Sequence, residues 1–141
     1  MHEALYRLNE FHHLAMPDYF KSAIDVAASK DLSKYICNKD AFAFIAVKEE
    51  ERIGFTVGSI QMLKSPISKT KKIGSIDEIF IEDNHRGGGV GKKFLTAIEK
   101  YCKMNGATDL FTEVWGFNQS ALSFYKMMGL SPHVHWLRKQ R

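Results

Sequence analysis

The chain reads as a mixed α/β domain of the α+β kind, a central, mostly antiparallel twisted sheet flanked by helices. Three observations predict it. Strand-like runs follow one another with short connections between Ala41 and Asp83, which is hairpin order. A glycine-rich turn then leads from the last of them into an amphipathic helical pattern. Beyond that helix the chain alternates strand, helix, strand. A single domain over residues 1–141 is expected, because 45% hydrophobic content supplies one core and no repeat or linker divides it.

Ala4, Leu5, Leu8 and Phe11 recur at helical spacing, so Glu3 to Leu14 is predicted helical, with Pro17 ending or interrupting it. Tyr19 to Ile36 reads as more helix. Ala41 to Val47 is a strand, Lys48 to Glu51 a charged turn, and Arg52 to Leu63 a second strand carrying Gly54 and Gly58. The lysine-rich run Lys64 to Lys72 reads as a solvated hairpin loop, and Gly74 to Asp83 as the third strand. Val90, Phe94, Leu95, Ile98 and Cys102 mark the apolar face of the next helix, with Gly106 placed to cap it. Asp109 to Trp115 is a strand. Asn118 can cap a helix in which Ala121, Phe124, Tyr125 and Met128 share a face and which Gly129 ends. Val134 to Leu137 offers a last short strand.

Composition narrows the function classes. The formal charge of +4 is modest, and the cations are interspersed with carboxylates rather than gathered into a nucleic-acid-binding stripe. No apolar run reaches membrane-spanning length and the first residues carry no secretory pattern. Cys37 and Cys102 have neither metal nor redox spacing, and Cys102 lies on an apolar helix face. His12-His13 and His133-x-His135 lack a carboxylate or cysteine cluster at metal spacing, so no metal site is expected. A soluble, reducing, cytoplasmic setting fits, with no nucleic-acid or membrane partner.

The most informative run is Asn84-His85-Arg86-Gly87-Gly88-Gly89-Val90-Gly91-Lys92-Lys93, four glycines and three cations where a strand turns into a helix. Glycines let backbone N–H groups converge on an anion, and the helix aims its unpaired N–H groups at the same point. Two better-known motifs fail. A phosphate loop of the nucleotide-hydrolase type needs glycine at Arg86 and Ser or Thr at Lys93, and a dinucleotide fingerprint from Gly87 needs glycine at Lys92. What remains is Arg-x-x-Gly-x-Gly, an anion cradle suited to a phosphorylated cofactor. The plainer reading is a turn that only joins strand to helix.

Ile76-Asp77-Glu78-Ile79-Phe80-Ile81, then Arg86-Gly87-Gly88-Gly89-Val90-Gly91, then Asn118-Gln119-Ser120-Ala121-Leu122-Ser123-Phe124-Tyr125-Lys126-Met127-Met128-Gly129-Leu130 together resemble the GNAT superfamily of acetyl-CoA-dependent N-acetyltransferases. The resemblance is strongest in the second half of the chain. It implies a GNAT-like sheet and acetyl-CoA as cofactor. It also implies that the main chain of Ile79, Phe80 and Ile81 pairs with the pantetheine arm. Amides from Arg86 through Gly87, Gly88, Gly89, Val90 and Gly91 to Lys92 would hold the pyrophosphate, and amides near Ile79 and Phe80 would polarise the thioester carbonyl. Asn118 would lie beside the cofactor arm and Tyr125 near its sulfur.

The chemistry sets its own demand. An alkylammonium with a lysine-like pKa of about 10.4 is mostly protonated at pH 7, a deficit of roughly 4–5 kcal/mol before it can attack a thioester. Asp77 and Glu78, on the strand expected to supply the carbonyl polarisers, are the candidate proton acceptors, directly or through water. Strand alternation puts them on opposite faces unless a bulge intervenes, which leaves one of them facing the site. Such an acidic pair is similar to that of diamine acetyltransferases, where carboxylates help receive a cationic amine. Charged strand residues more ordinarily decorate solvent faces. Tyr125 is the candidate general acid for the departing thiolate. Periodicity alone assigns Tyr125 to core packing and Asn118 to helix capping, and the family motif gives each a second role.

GNAT chains usually open with a strand before the first helix, whereas this one begins almost at once with helix. Either that strand is missing or the chain starts late. A missing strand leaves a sheet edge for another subunit, so a homodimer is expected. The function expected is acetyl transfer from acetyl-CoA to a primary amine, a small cationic one ahead of a protein-borne one, directly in a ternary complex. The alternative is a domain of the same fold that binds acyl-CoA without turnover.

Overall fold

The computed structural model describes Tyr35 and residues 38–141. The helices expected at Glu3 to Leu14 and Tyr19 to Ile36, and the question of an opening strand, lie outside the described residues, apart from Tyr35, which is helical. The described elements are β1 (Ala41–Lys48), β2 (Glu51–Ser65), β3 (Ser68–Ile81), a 3-10 turn (Asp83–His85), α1 (Val90–Met104), β4 (Asp109–Thr112) and α2 (Gln119–Met127). They build one sheet in the order β1-β2-β3-β4, antiparallel through β3 and parallel between β3 and β4. The parallel step follows from α1, which carries the chain back across the sheet.

Apolar residues of β1 to β3 alternate between two packed faces. On one, Phe42, Ile60 and Ile76 meet Leu95, Ile98 and Cys102 of α1 and Tyr125 of α2. On the other, Phe55, Val57 and Phe80 enclose Tyr35. Gly91 lets α1 and α2 approach, since a Cβ there would stand 2.7 Å from a ring carbon of Phe124. Cys102 is buried against α1's side of the sheet. Burial first, then the charge of Glu99, raises its thiol pKa, as suits a core residue rather than a nucleophile.

Three expected elements differ in extent. The lysine-rich run is strand rather than loop: only Pro66 and Ile67 form the turn, and the ladder continues with Met62 opposite Lys72 and Leu63 opposite Lys71. These lysines stay solvated because side chains leave a two-stranded ribbon on both faces, and Lys71 also reaches Asp109 on β4 at 3.0 Å. β4 stops at Thr112, short of Trp115, where its pairing with β3 ends opposite Ile76. Val134 to Leu137 forms no strand. Val134, Trp136 and Leu137 are 79%, 87% and 89% exposed, so no neighbouring ladder stabilises an extended pairing.

Candidate active site

β3 and β4 pair only from Ile73 opposite Asp109 to Ile76 opposite Thr112. The Thr112 hydroxyl donates to the Ile76 carbonyl at 3.2 Å and closes this short ladder. Beyond it β3 runs on to Ile81 paired, among the described residues, with β2 alone, so a notch opens beside Asp77 to Ile81. The Glu82 amide bonds the Ile53 carbonyl at 2.8 Å. Counting back in twos turns the peptide groups of Phe80 and Glu78 toward β2 and those of Ile79 and Ile81 toward the notch. Arg86 Nε already bonds the Ile81 carbonyl at 3.0 Å. Of the two amides expected to polarise a carbonyl, Ile79's is therefore the one directed at the notch. Phe80 instead packs its ring against Phe55, under the Arg86 guanidinium.

The glycine run forms the end of the notch. Gly87 and Gly89 have φ of 80° and 86°, left-handed values that suit glycine, and Gly89 is the N-cap of α1. Lys93 is the first residue whose amide the helix uses, bonding the Gly89 carbonyl at 3.1 Å. The amides of Val90, Gly91 and Lys92 precede it and have no carbonyl one turn back. Arg86 has another task. Its amide bonds the Asp83 carbonyl at 3.3 Å and its guanidinium meets Asp83 at 3.1 Å, so it braces the loop.

α2 brings Tyr125 to the apex of the notch. Its hydroxyl is buried and within hydrogen-bonding reach of Thr112. Burial pushes its pKa above the ordinary tyrosine value, and the Thr112 hydrogen bond opposes that only in part. Tyr125 is thus a protonated phenol at neutral pH. Asn118 starts the same helix, its Oδ1 accepting from the Ala121 amide at 3.2 Å and the Ser120 hydroxyl at 3.3 Å. Its capping role is met.

The acidic pair departs from simple alternation. Val57 faces Glu78 but Gly58 faces Ile76, so Asp77 is the extra residue of a β-bulge in β3. Ile76 and Ile79 both pack toward α1, which leaves Asp77 and Glu78 together on the opposite face with Phe80 and Tyr35. Strand alternation alone would separate the two, and this bulge instead puts them on one face of the sheet. Tyr35 donates to Asp77 Oδ2 at 2.9 Å and Ser75 donates to Oδ1 at 3.1 Å. The buried Thr56 hydroxyl donates to the Glu78 carbonyl at 2.9 Å and steadies the bulge. Tyr35, Ser75, Thr56 and Thr112 were not singled out from sequence. Their only signal is three-dimensional, since Tyr35 lies 42 positions from its partner.

Phenol and carboxylates therefore stand on opposite faces of the sheet, with the notch between them. The site suits a slender donor that enters past the glycine turn and presents its reactive end at the apex.

A sequence model described as the Acetyltransferase (GNAT) family matches residues 8–130. The chain belongs to the GNAT family. GNAT acetyltransferases take their acyl group from acetyl-CoA, and the residues at the notch fit it: an open peptide edge at Ile79, unpaired amides at the start of α1 and a protonated Tyr125. The chain is 28% identical to the uncharacterized N-acetyltransferase YhfO of Bacillus subtilis over 79% of its own length and 74% of that protein. It is 34% identical to the uncharacterized N-acetyltransferase YobR of the same organism over 42% of its length, and spans 24% of that protein. Its fold is similar to that of the F44R mutant of BH1408 from Bacillus halodurans, with a TM-score of 0.90 at 20% identity over 99% of this chain and 90% of that one. Among the described residues no GNAT helix is long and apolar enough to cross a membrane.

Proposed function

We propose that this GNAT domain transfers the acetyl group of acetyl-CoA to the neutral form of a primary amine, a small cationic one above all, directly within a ternary complex. The divergence of β3 and β4 beyond Ile76, with Tyr125 at its apex, carries the reading. The cofactor supplies an activated thioester and a thiolate leaving group. Ile79 would hold the arm through its carbonyl and the thioester oxygen through its N–H, where developing negative charge is stabilised. Val90, Gly91 and Lys92 would receive the pyrophosphate on their amides, with Gly87, Gly88 and Gly89 shaping the approach. Asp77 and Glu78 would meet the incoming ammonium, and one carboxylate would take the proton that must leave before attack. Tyr125 would return a proton to the departing sulfur. Both reactants are present together, so no acyl-enzyme is required.

An acetyl-CoA turnover screen over polyamines, aminoglycosides, amino-acid amides and short peptides, detecting free thiol, tests the proposal. Amine-dependent thiol release is expected. Thiol release that no amine accelerates, from protein that still binds CoA, would replace the enzyme with an acyl-CoA-binding module.

A further inference from the structure

Asp77 occupies an unusual position for a side chain that must be aimed. As the extra residue of the bulge it has no cross-strand partner in the ladder, so neighbouring side chains must set its direction. Two hydroxyls do this from separate parts of the chain. Ser75, two residues earlier on β3, holds Oδ1, and Tyr35, 42 positions earlier in the chain, holds Oδ2. Tyr35 is itself fixed, buried among Phe55, Val57 and Phe80. Burial foremost, then the hydrogen bond and charge of Asp77 and the charge of Glu78, raises its pKa far above the ordinary tyrosine value, so the phenol remains a donor at every working pH.

We propose that Tyr35 is a positioning residue for the acceptor amine: with Ser75 it locks the Asp77 carboxylate into a fixed anion beside Glu78, and the locked pair recognises a substrate ammonium. The inference rests on the reading of Asp77 and Glu78 as the acceptor side. A fixed anion binds a cation without the entropy of ordering its own side chain at the moment of binding. The acceptor class that follows is an amine protonated in solution and presented on a small or extended carrier.

A double-mutant cycle decides it. Steady-state kinetics on the best amine of the panel would compare the parent, Tyr35→Phe, Ser75→Ala, Asp77→Asn, Glu78→Gln and Tyr35→Phe/Asp77→Asn, alongside calorimetric binding of that amine in the presence of unreactive CoA. Tyr35→Phe should raise the amine's KM and Kd by about 10-fold, as expected for one hydrogen bond to a charged group. KM for acetyl-CoA and kcat should stay within about twofold. Ser75→Ala should act in the same direction, and Tyr35→Phe should add nothing once Asp77→Asn is present. A damaging Asp77→Asn with a silent or fully multiplicative Tyr35→Phe would overturn the lock while leaving the acceptor side in place. An equal loss in both KM values with a lowered Tm would make Tyr35 a packing residue. Unchanged amine kinetics in Asp77→Asn and Glu78→Gln would overturn the acceptor reading and the lock with it.

Discussion

The Tyr125 hydroxyl is buried at the apex of the notch next to Thr112, and burial favours its protonated form. Tyr125→Phe keeps the ring in the core and removes the proton. Turnover should fall by about 100-fold or more with CoA affinity little changed, read from kcat and from calorimetry. A second consequence concerns alkaline stability. A phenol whose folded pKa is above the unfolded value, about 10, contributes fully below that pH and loses its contribution as pH rises through the folded value. Melts from pH 8 to 11 should therefore show a shallower alkaline decline in Tyr125→Phe. Tyr35 and Tyr101, raised by burial first as well, keep the rest of the slope. Sequence motifs singled out Tyr125, Asn118 and the glycines because local context, a helix face, a cap and a turn, marks each of them. Tyr35 and the pairing of Asp77 with Glu78 were illegible, because nothing in Ile76-Asp77-Glu78-Ile79 signals an extra residue in the ladder.

The elements show the same division. Apolar spacing identified α1 and its buried face of Phe94, Leu95, Ile98 and Cys102, and the glycines at its ends fell where left-handed φ values occur, at Gly89 and Gly106. Strand ends were harder to read, since a lysine-rich run can be solvated and still be paired in a ladder, as Lys71 and Lys72 are with Leu63 and Met62. Gly91 belongs to this scale. Gly91→Ala would push a methyl group into the Phe124 ring at the α1–α2 contact, so it should cost about 1–3 kcal/mol in denaturant unfolding. Phe124→Leu added to it should recover part of the loss. Recovery of none would mean that the backbone at Gly91, rather than the crowded ring, sets the requirement.

For the whole molecule, donor binding should behave as a stabilising ligand. CoA at 100 times its Kd should add about 2.7 kcal/mol, roughly 5–10 °C in Tm for a chain of this size. Gly89→Glu should abolish the shift, because a side chain and a negative charge would enter a left-handed position at the start of α1. A folded Gly89→Glu protein with an undiminished shift would locate the donor elsewhere. The divergence of β3 from β4 also bears on solubility. Unpaired peptide groups on an outer strand invite other chains to add to the sheet, and natural proteins blunt such edges with charge or cover. Here the open stretch is short, since β3 is paired with β4 up to Ile76, so a foreign strand finds only Asp77 to Ile81 to add to. The molecule can leave a stretch of backbone permanently available to one thin guest without offering it to its neighbours. In hydrogen exchange, the Ile79 amide should be fast in the free protein and protected when CoA is bound.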